Sequence, residues 1–111
     1  MVAAIQATAE AMRLAKAAGV DCAKVKQALA GGSAGSRVLE VMGERMVTRN
    51  FAAGIEARLH HKDYGLVLDA ARKSGVYMPL TVTIAQQLNA LMAQGWGRDD
   101  TASLLRVLEA Q

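Results

Sequence analysis

Glycine breaks set the plan of this chain. Gly19, Gly31-Gly32, Gly75 and the Gly95-Trp96-Gly97 step cut an otherwise helical periodicity into segments. Glycine ends a helix at low cost because it accepts the left-handed conformation. Between the breaks, apolar residues return every three or four positions, the repeat of one helix face. The first segment, about Met1 to Ala18, carries Ile5, Ala9, Met12 and Ala15 at that spacing. Asp21 is placed to cap a short second helix, Cys22 to Ala30, and a third starts near Ser36 with Val38, Leu39, Met42 and Met46. A long fourth helix, roughly Ile55 to Ser74, is expected to turn Leu59, Leu66, Val67 and Ala70 toward the core. Val76 to Leu80 reads as an extended connector, since the residue before Pro79 disfavours the helical region. A fifth helix, about Thr81 to Ala93, has Val82, Ala85, Leu88 and Met92 on one side. Asp99 or Asp100 caps a last helix containing Leu104, Leu105, Val107 and Leu108.

Composition agrees with that pattern. Helix-forming Ala, Leu and Met dominate the apolar residues, aromatics are 4%, and the chain has a single proline. No strand alternation of useful length and no repeat of fixed period is present. The 111 residues support one compact domain. The expected fold is an all-α bundle of about six helices over residues 1–111.

Charge and cysteine content narrow the function classes. The net charge of +3 comes from 13 bases and 10 acids spread along the chain, without the basic stripe that nucleic-acid binding needs. Cys22 is alone, so no internal disulfide forms, and a reducing, cytoplasmic setting is expected. The uncharged run Ser74 to Gly97 contains Pro79, Asn89 and several glutamines, which argues against membrane insertion. The N-terminal stretch has no secretory pattern.

Nothing in the chain makes a self-contained active site. Gly95-Trp96-Gly97 begins like a dinucleotide fingerprint, but Asp100 falls where the third glycine belongs and no strand precedes it. A helix break is the better reading. His60 and His61 are adjacent, so on a helix they diverge by about 100° and cannot share one metal. Cys22 has no neighbouring histidine to act as base and reads as a packed residue. The middle of the fourth helix is polar, with Arg58, His60, His61, Lys62 and Asp63 between Leu59 and Leu66. Such a cluster is either a solvated face or the lining of a cleft, where a lysine offers a point charge to an anionic or hydroxylated ligand.

Three stretches carry a family resemblance. Gly31-Gly32-Ser33-Ala34-Gly35-Ser36-Arg37-Val38-Leu39-Glu40 with Gly43-Glu44-Arg45-Met46 is the first. Phe51-Ala52-Ala53-Gly54-Ile55 followed by Leu59-His60-His61-Lys62-Asp63-Tyr64 is the second, similar to F-x-x-G-F and L-x-x-K-D-L. Gly97-Arg98-Asp99-Asp100-Thr101-Ala102-Ser103-Leu104 is the third. In order along almost the whole chain, these resemble the C-terminal helical domain of the NAD(P)-dependent β-hydroxyacid dehydrogenases. The likeness is greatest to the tartronate semialdehyde (2-hydroxy-3-oxopropionate) reductases and the 3-hydroxyisobutyrate dehydrogenases. The implied fold is the six-helix bundle of the 6-phosphogluconate dehydrogenase C-terminal domain.

The resemblance implies a division of labour. Family members pair an N-terminal Rossmann domain with this helical domain and hold NAD or NADP and a small hydroxy acid or semialdehyde between them. It places Lys62 at the lysine that reaches the cofactor from the helical side, with Asp63 as its motif partner. Ile55 stands where many relatives have an aromatic residue bordering the nicotinamide cleft. The family's catalytic lysine, in G-x-x-x-K-x-x-N, belongs upstream of Met1, so no residue here takes a catalytic role. The expectations are a fragment that lacks its Rossmann domain, binds no cofactor tightly alone, and associates into a homo-oligomer through exposed apolar surface. The alternative is a stand-alone, non-catalytic helical interaction module.

Overall fold

The computed structural model describes residues 1–110. Six α-helices follow one another: α1 (Val2–Ala17), α2 (Cys22–Ala30), α3 (Arg37–Thr48), α4 (Ala57–Ser74), α5 (Pro79–Ala93) and α6 (Leu104–Glu109). A short 3-10 turn, Thr101–Ser103, leads into α6. Among the described residues there is no strand, and a lone antiparallel bridge joins Glu56 to Asp100.

α1 is the central element and packs against α2, α3, α5 and α6. Its expected stripe is buried as read, with Ile5, Ala9, Met12 and Ala15 all enclosed. They meet Met42 and Met46 from α3, Ile84, Leu88 and Leu91 from α5, and Leu104, Leu105 and Val107 from α6. Cys22 is half-buried against this core, its Sγ 3.5 Å from the Met12 carbonyl.

Local chemistry sets the helix ends. Asp21 accepts a hydrogen bond from the Ala23 N–H and Ser36 from the Leu39 N–H, capping α2 and α3. α4 ends at Gly75 with φ of 67°, a conformation open to glycine. α3 ends instead on Arg49, held left-handed at φ 55°. Two 3.0 Å hydrogen bonds to the Glu109 carboxylate fasten its guanidinium, which also lies 5.2 Å from the centre of the Phe51 ring. That guanidinium holds the Glu109 carboxyl below its ordinary range.

Three expectations are corrected. The apolar stripe of α4 does not face the core: Leu59, Leu66 and Val67 are 41%, 60% and 41% exposed, and Ala70 is exposed with them. α4 packs on α5 and the 3-10 turn through the opposite side, Ala57, His60, His61, Tyr64, Leu68 and Ala71. Pro79 does not sit in a connector but opens α5 at its first position, where the missing N–H would have no intrahelical partner anyway. The buried stripe of α5 is then Ile84, Leu88 and Leu91, while Val82 is 49% exposed and Ala85 and Met92 are half-buried. Starting the helix two residues earlier does not rotate its faces. The misreading lay in taking the Val82 side as the inner one, when α1 and α6 meet the side of Ile84.

Candidate functional site

The segment before α4 and the segment before α6 are built as one unit around a buried carboxylate. Asp100 is fully buried, and its Oδ2 accepts from the Gly54 N–H at 3.0 Å and the Ile55 N–H at 3.1 Å. Its Oδ1 accepts from the Ala102 N–H at 2.9 Å, capping the 3-10 turn. The Arg45 guanidinium lies 3.7 Å from the same carboxylate and donates to the Ala52 carbonyl at 2.6 Å. Position 54 is tight: a Cβ there would come within 2.8 Å of that guanidinium, which would have to move aside. Backbone pairs complete the join, with the Asp100 N–H donating to Phe51 at 2.9 Å and the Thr101 N–H to Ile55 at 3.3 Å.

Arg106 clamps the same region from α6. Its guanidinium is stacked between Phe51, 4.5 Å from the ring centre, and Trp96, 4.2 Å away. It donates to Asp99 and to Ser103, each at 2.6 Å. The Gly95-Trp96-Gly97 step is a helix break, as expected, with Gly95 at φ 85°, and it also delivers Trp96 to this stack.

This frame fixes the start of α4. The Ala57 N–H donates to the Asp99 carbonyl and the Arg58 N–H to the Gly97 carbonyl, both at 2.8 Å. These bonds consume the free donors that would make a helix N-terminus an anion site. The start of α4 therefore offers no free backbone seat for a phosphate group.

The helix then separates its polar cluster into two faces. At about 100° per residue, Lys62 points roughly 150° away from the midpoint of His60 and His61. The two histidines face the bundle. His60 Nδ1 is 2.7 Å from the Thr101 hydroxyl, and His61 Nε2 is 2.7 Å from Asn89 Oδ1 on α5. They bond to different elements, and no cluster of metal-ligating residues occurs among the described residues. Lys62 and Asp63 share the outward face with Leu59, Leu66, Val67 and Ala70. Among the described residues neither Lys62 nor Asp63 has an ion-pair or hydrogen-bond partner from a side chain. Ile55 is half-buried at the base of α4, its amide held by Asp100 and its carbonyl by Thr101.

Of the three residues named from sequence, Lys62 and Asp63 are thus brought to one exposed face, and Ile55 sits below them in the anchored loop. Sequence reading missed Asp100 as an anchor, as well as Arg45, Thr101 and Arg106. The adjacent acids after a glycine break were legible as a cap, but nothing local marks one as the partner of residues 45 and 46 positions away.

Burial lowers the affinity of His60 for a proton, opposed by the nearby charges of Asp63 and Asp100 and reinforced by the chain's amino terminus. A lowered folded-state value means that the neutral ring stabilises the fold fully above the unfolded value of about 6.5. Below it the unfolded chain takes up the proton first, and stability is lost as pH falls toward the folded value. Denaturation measured at pH 7.5 and 5.5 should show lower stability at the acid end, and His60→Asn should flatten that difference. Equal slopes in the two proteins would show that His60 is not the group responsible.

A family model described as the NAD-binding domain of NADP-dependent 3-hydroxyisobutyrate dehydrogenase matches residues 1–108. The chain belongs to this family. The chain is similar to the 2-hydroxy-3-oxopropionate reductase of Escherichia coli K12, at 42% identity over 105 residues covering 95% of this chain and 36% of that protein. The 2-(hydroxymethyl)glutarate dehydrogenase of Eubacterium barkeri is 30% identical over 102 residues, covering 91% of this chain and 34% of that protein. A crystal structure of a 3-hydroxyisobutyrate dehydrogenase from Salmonella typhimurium matches the fold with a TM-score of 0.91 at 24% identity, over 96% of this chain and 37% of that one. The chain spans about a third of the length of these relatives. No helix among the described residues is long and apolar enough to cross a membrane.

Proposed function

We propose that this chain is the helical half of an NAD(P)-dependent oxidoreductase acting on a small β-hydroxy acid or its semialdehyde, of the 2-hydroxy-3-oxopropionate reductase type. One observation carries the reading: Lys62, with no side-chain partner among the described residues, stands on an outward helix face beside the exposed Leu59, Leu66, Val67 and Ala70. A solvated helix face is normally polar, and a run of exposed apolar side chains beside an ammonium suits a surface that is covered in use. On this convex face Lys62 makes half a site. The other half is a dinucleotide-binding domain, supplied by the part of such a protein that this chain does not span. The residues present fit a nicotinamide dinucleotide as one charged contact and a closing wall, not as a cradle. The bound cofactor supplies the hydride chemistry. Lys62 donates to an anionic or hydroxyl group, Ile55 borders the cleft, and Asp63 lines it beside the lysine. The exposed apolar side chains on α1, α4 and α5 support association of copies of the whole protein, Leu14 at 71% and Leu80 at 64% exposure among them.

The test is Lys62→Ala in the protein that carries both halves, assayed with 2-hydroxy-3-oxopropionate and each nicotinamide cofactor. A hydrogen bond from a charged group is worth about 1.5–3 kcal/mol, so the KM for cofactor should rise roughly 10- to 100-fold. An unchanged KM would remove Lys62 from the site and leave a non-catalytic interaction module as the better account.

A further inference from the structure

We propose that His60 is a positioning residue: through the Thr101 hydroxyl it locks the turn of α4 that presents Lys62 to the loop that carries Ile55. The proposal rests on the reading of Lys62 given above and adds the device that aims it.

The packing of Tyr64 and Leu68 seats α4 on the bundle, and the histidines add directed bonds to that seat. Ala57 and Ala71 are its fully buried residues, too short to key into a groove, and half-buried Tyr64 reaches the core one turn beyond His60. The bonds from Ala57 and Arg58 to Asp99 and Gly97 fix where the helix begins but not how its next turn is aimed. His60 and His61 supply two lateral tethers about 100° apart, immediately before Lys62. With side chains extending some 5–6 Å from the axis, a 20° rotation of the helix would carry the Lys62 side chain sideways by about 2 Å. That displacement is enough to break a hydrogen bond.

The His60 tether differs from the His61 tether in where it ends. His61 ends on Asn89, part-way along α5. His60 ends on Thr101, which is fully buried and whose hydroxyl lies 3.5 Å from the Ile55 carbonyl. A hydroxyl has one proton to give. When it donates to Ile55, it accepts from His60, and the order Nδ1–H to Oγ1, then Oγ1–H to the Ile55 carbonyl, is a consistent relay. The Thr101 N–H reaches the same carbonyl, and Asp100 holds the Ile55 N–H. The peptide at Ile55 is thereby fixed on both sides, and the one side chain on α4 joined to that fixture is His60. Burial, which favours the neutral ring, keeps the relay in one protonation state near neutral pH.

The experiment combines His60→Leu, His60→Asn, Thr101→Val, Thr101→Ser and the double variant H60L/T101V. In the protein with both halves, His60→Leu and Thr101→Val should each raise the cofactor KM about 3- to 10-fold with kcat nearly unchanged, as loss of one hydrogen bond predicts. The double variant should be no worse than the worse single one, because both cut the same relay. Asparagine places a donor near the position of Nδ1, and serine keeps the hydroxyl, so His60→Asn and Thr101→Ser should stay close to wild type. Additive effects, or failure of His60→Asn to restore KM, would overturn the proposal. In the 111-residue chain itself, amide exchange at Leu59 to Asp63 should quicken equally in His60→Leu and Thr101→Val. Should Lys62→Ala leave KM unchanged, the cofactor reading falls alone, and the exchange comparison still decides whether His60 and Thr101 act as one.

Discussion

Asp100→Ala is expected to destabilise the chain by about 3–5 kcal/mol, the range for breaking a buried charged partner. The carboxylate is fully enclosed and serves the N–H groups of Gly54, Ile55 and Ala102. Alanine leaves those donors without an acceptor; the buried Ala102 N–H would cost about 1–3 kcal/mol as an orphan, and the part-buried N–H groups of Gly54 and Ile55 less. It also removes the countercharge beside Arg45, whose guanidinium is packed against Gly54. Water entering the space can offset part of the loss, which is why the individual costs are not summed. Asp100→Asn should fall between wild type and alanine, since its amide oxygen can replace only one side of the carboxylate while its NH2 opposes an N–H. Urea denaturation of the three proteins decides the matter. A loss below about 1 kcal/mol for Asp100→Ala, with an unchanged slope on urea, would mean that the loop does not depend on this carboxylate.

The dependence of the site on Asp100 explains where sequence reading stops. The breaks at Gly19, Gly31 and Gly75 and the caps Asp21 and Ser36 act within a few residues, and those helices were legible almost to their ends. The core of α1 was legible because a helix meeting four others has one apolar face and must bury it. α4 carries two candidate faces. Hydrophobicity selects Leu59, Leu66, Val67 and Ala70, but the bundle accepts the other face, where Ala57, Tyr64 and Ala71 pack and Thr101 and Asn89 bond His60 and His61. Spacing alone cannot reveal those partners, since they arrive from 41 and 28 residues away. Lys62 was named through a motif likeness alone, and the periodicity of α4 on its own would have turned it inward with Leu59 and Leu66.

Leu88→Ala and Leu66→Ala should differ sharply in their cost. Leu88 is fully enclosed among α1, α5 and α6, so truncation removes apolar contact and leaves a cavity, at about 2–5 kcal/mol. Leu66 is 60% exposed on the outward face of α4. Its truncation in the 111-residue chain should change stability by no more than about 0.5 kcal/mol, as for most surface substitutions. Chemical denaturation of the two variants reads both values directly. Comparable losses would show that α4 turns its leucines inward in solution, and the outward placement of Lys62 would fall with that result. The predicted contrast also bears on the whole protein. If the outward stripe is covered there, Leu66→Asp should weaken the joining of the two halves while leaving the isolated bundle folded, because the cost of burying a charge arises only where the stripe is covered.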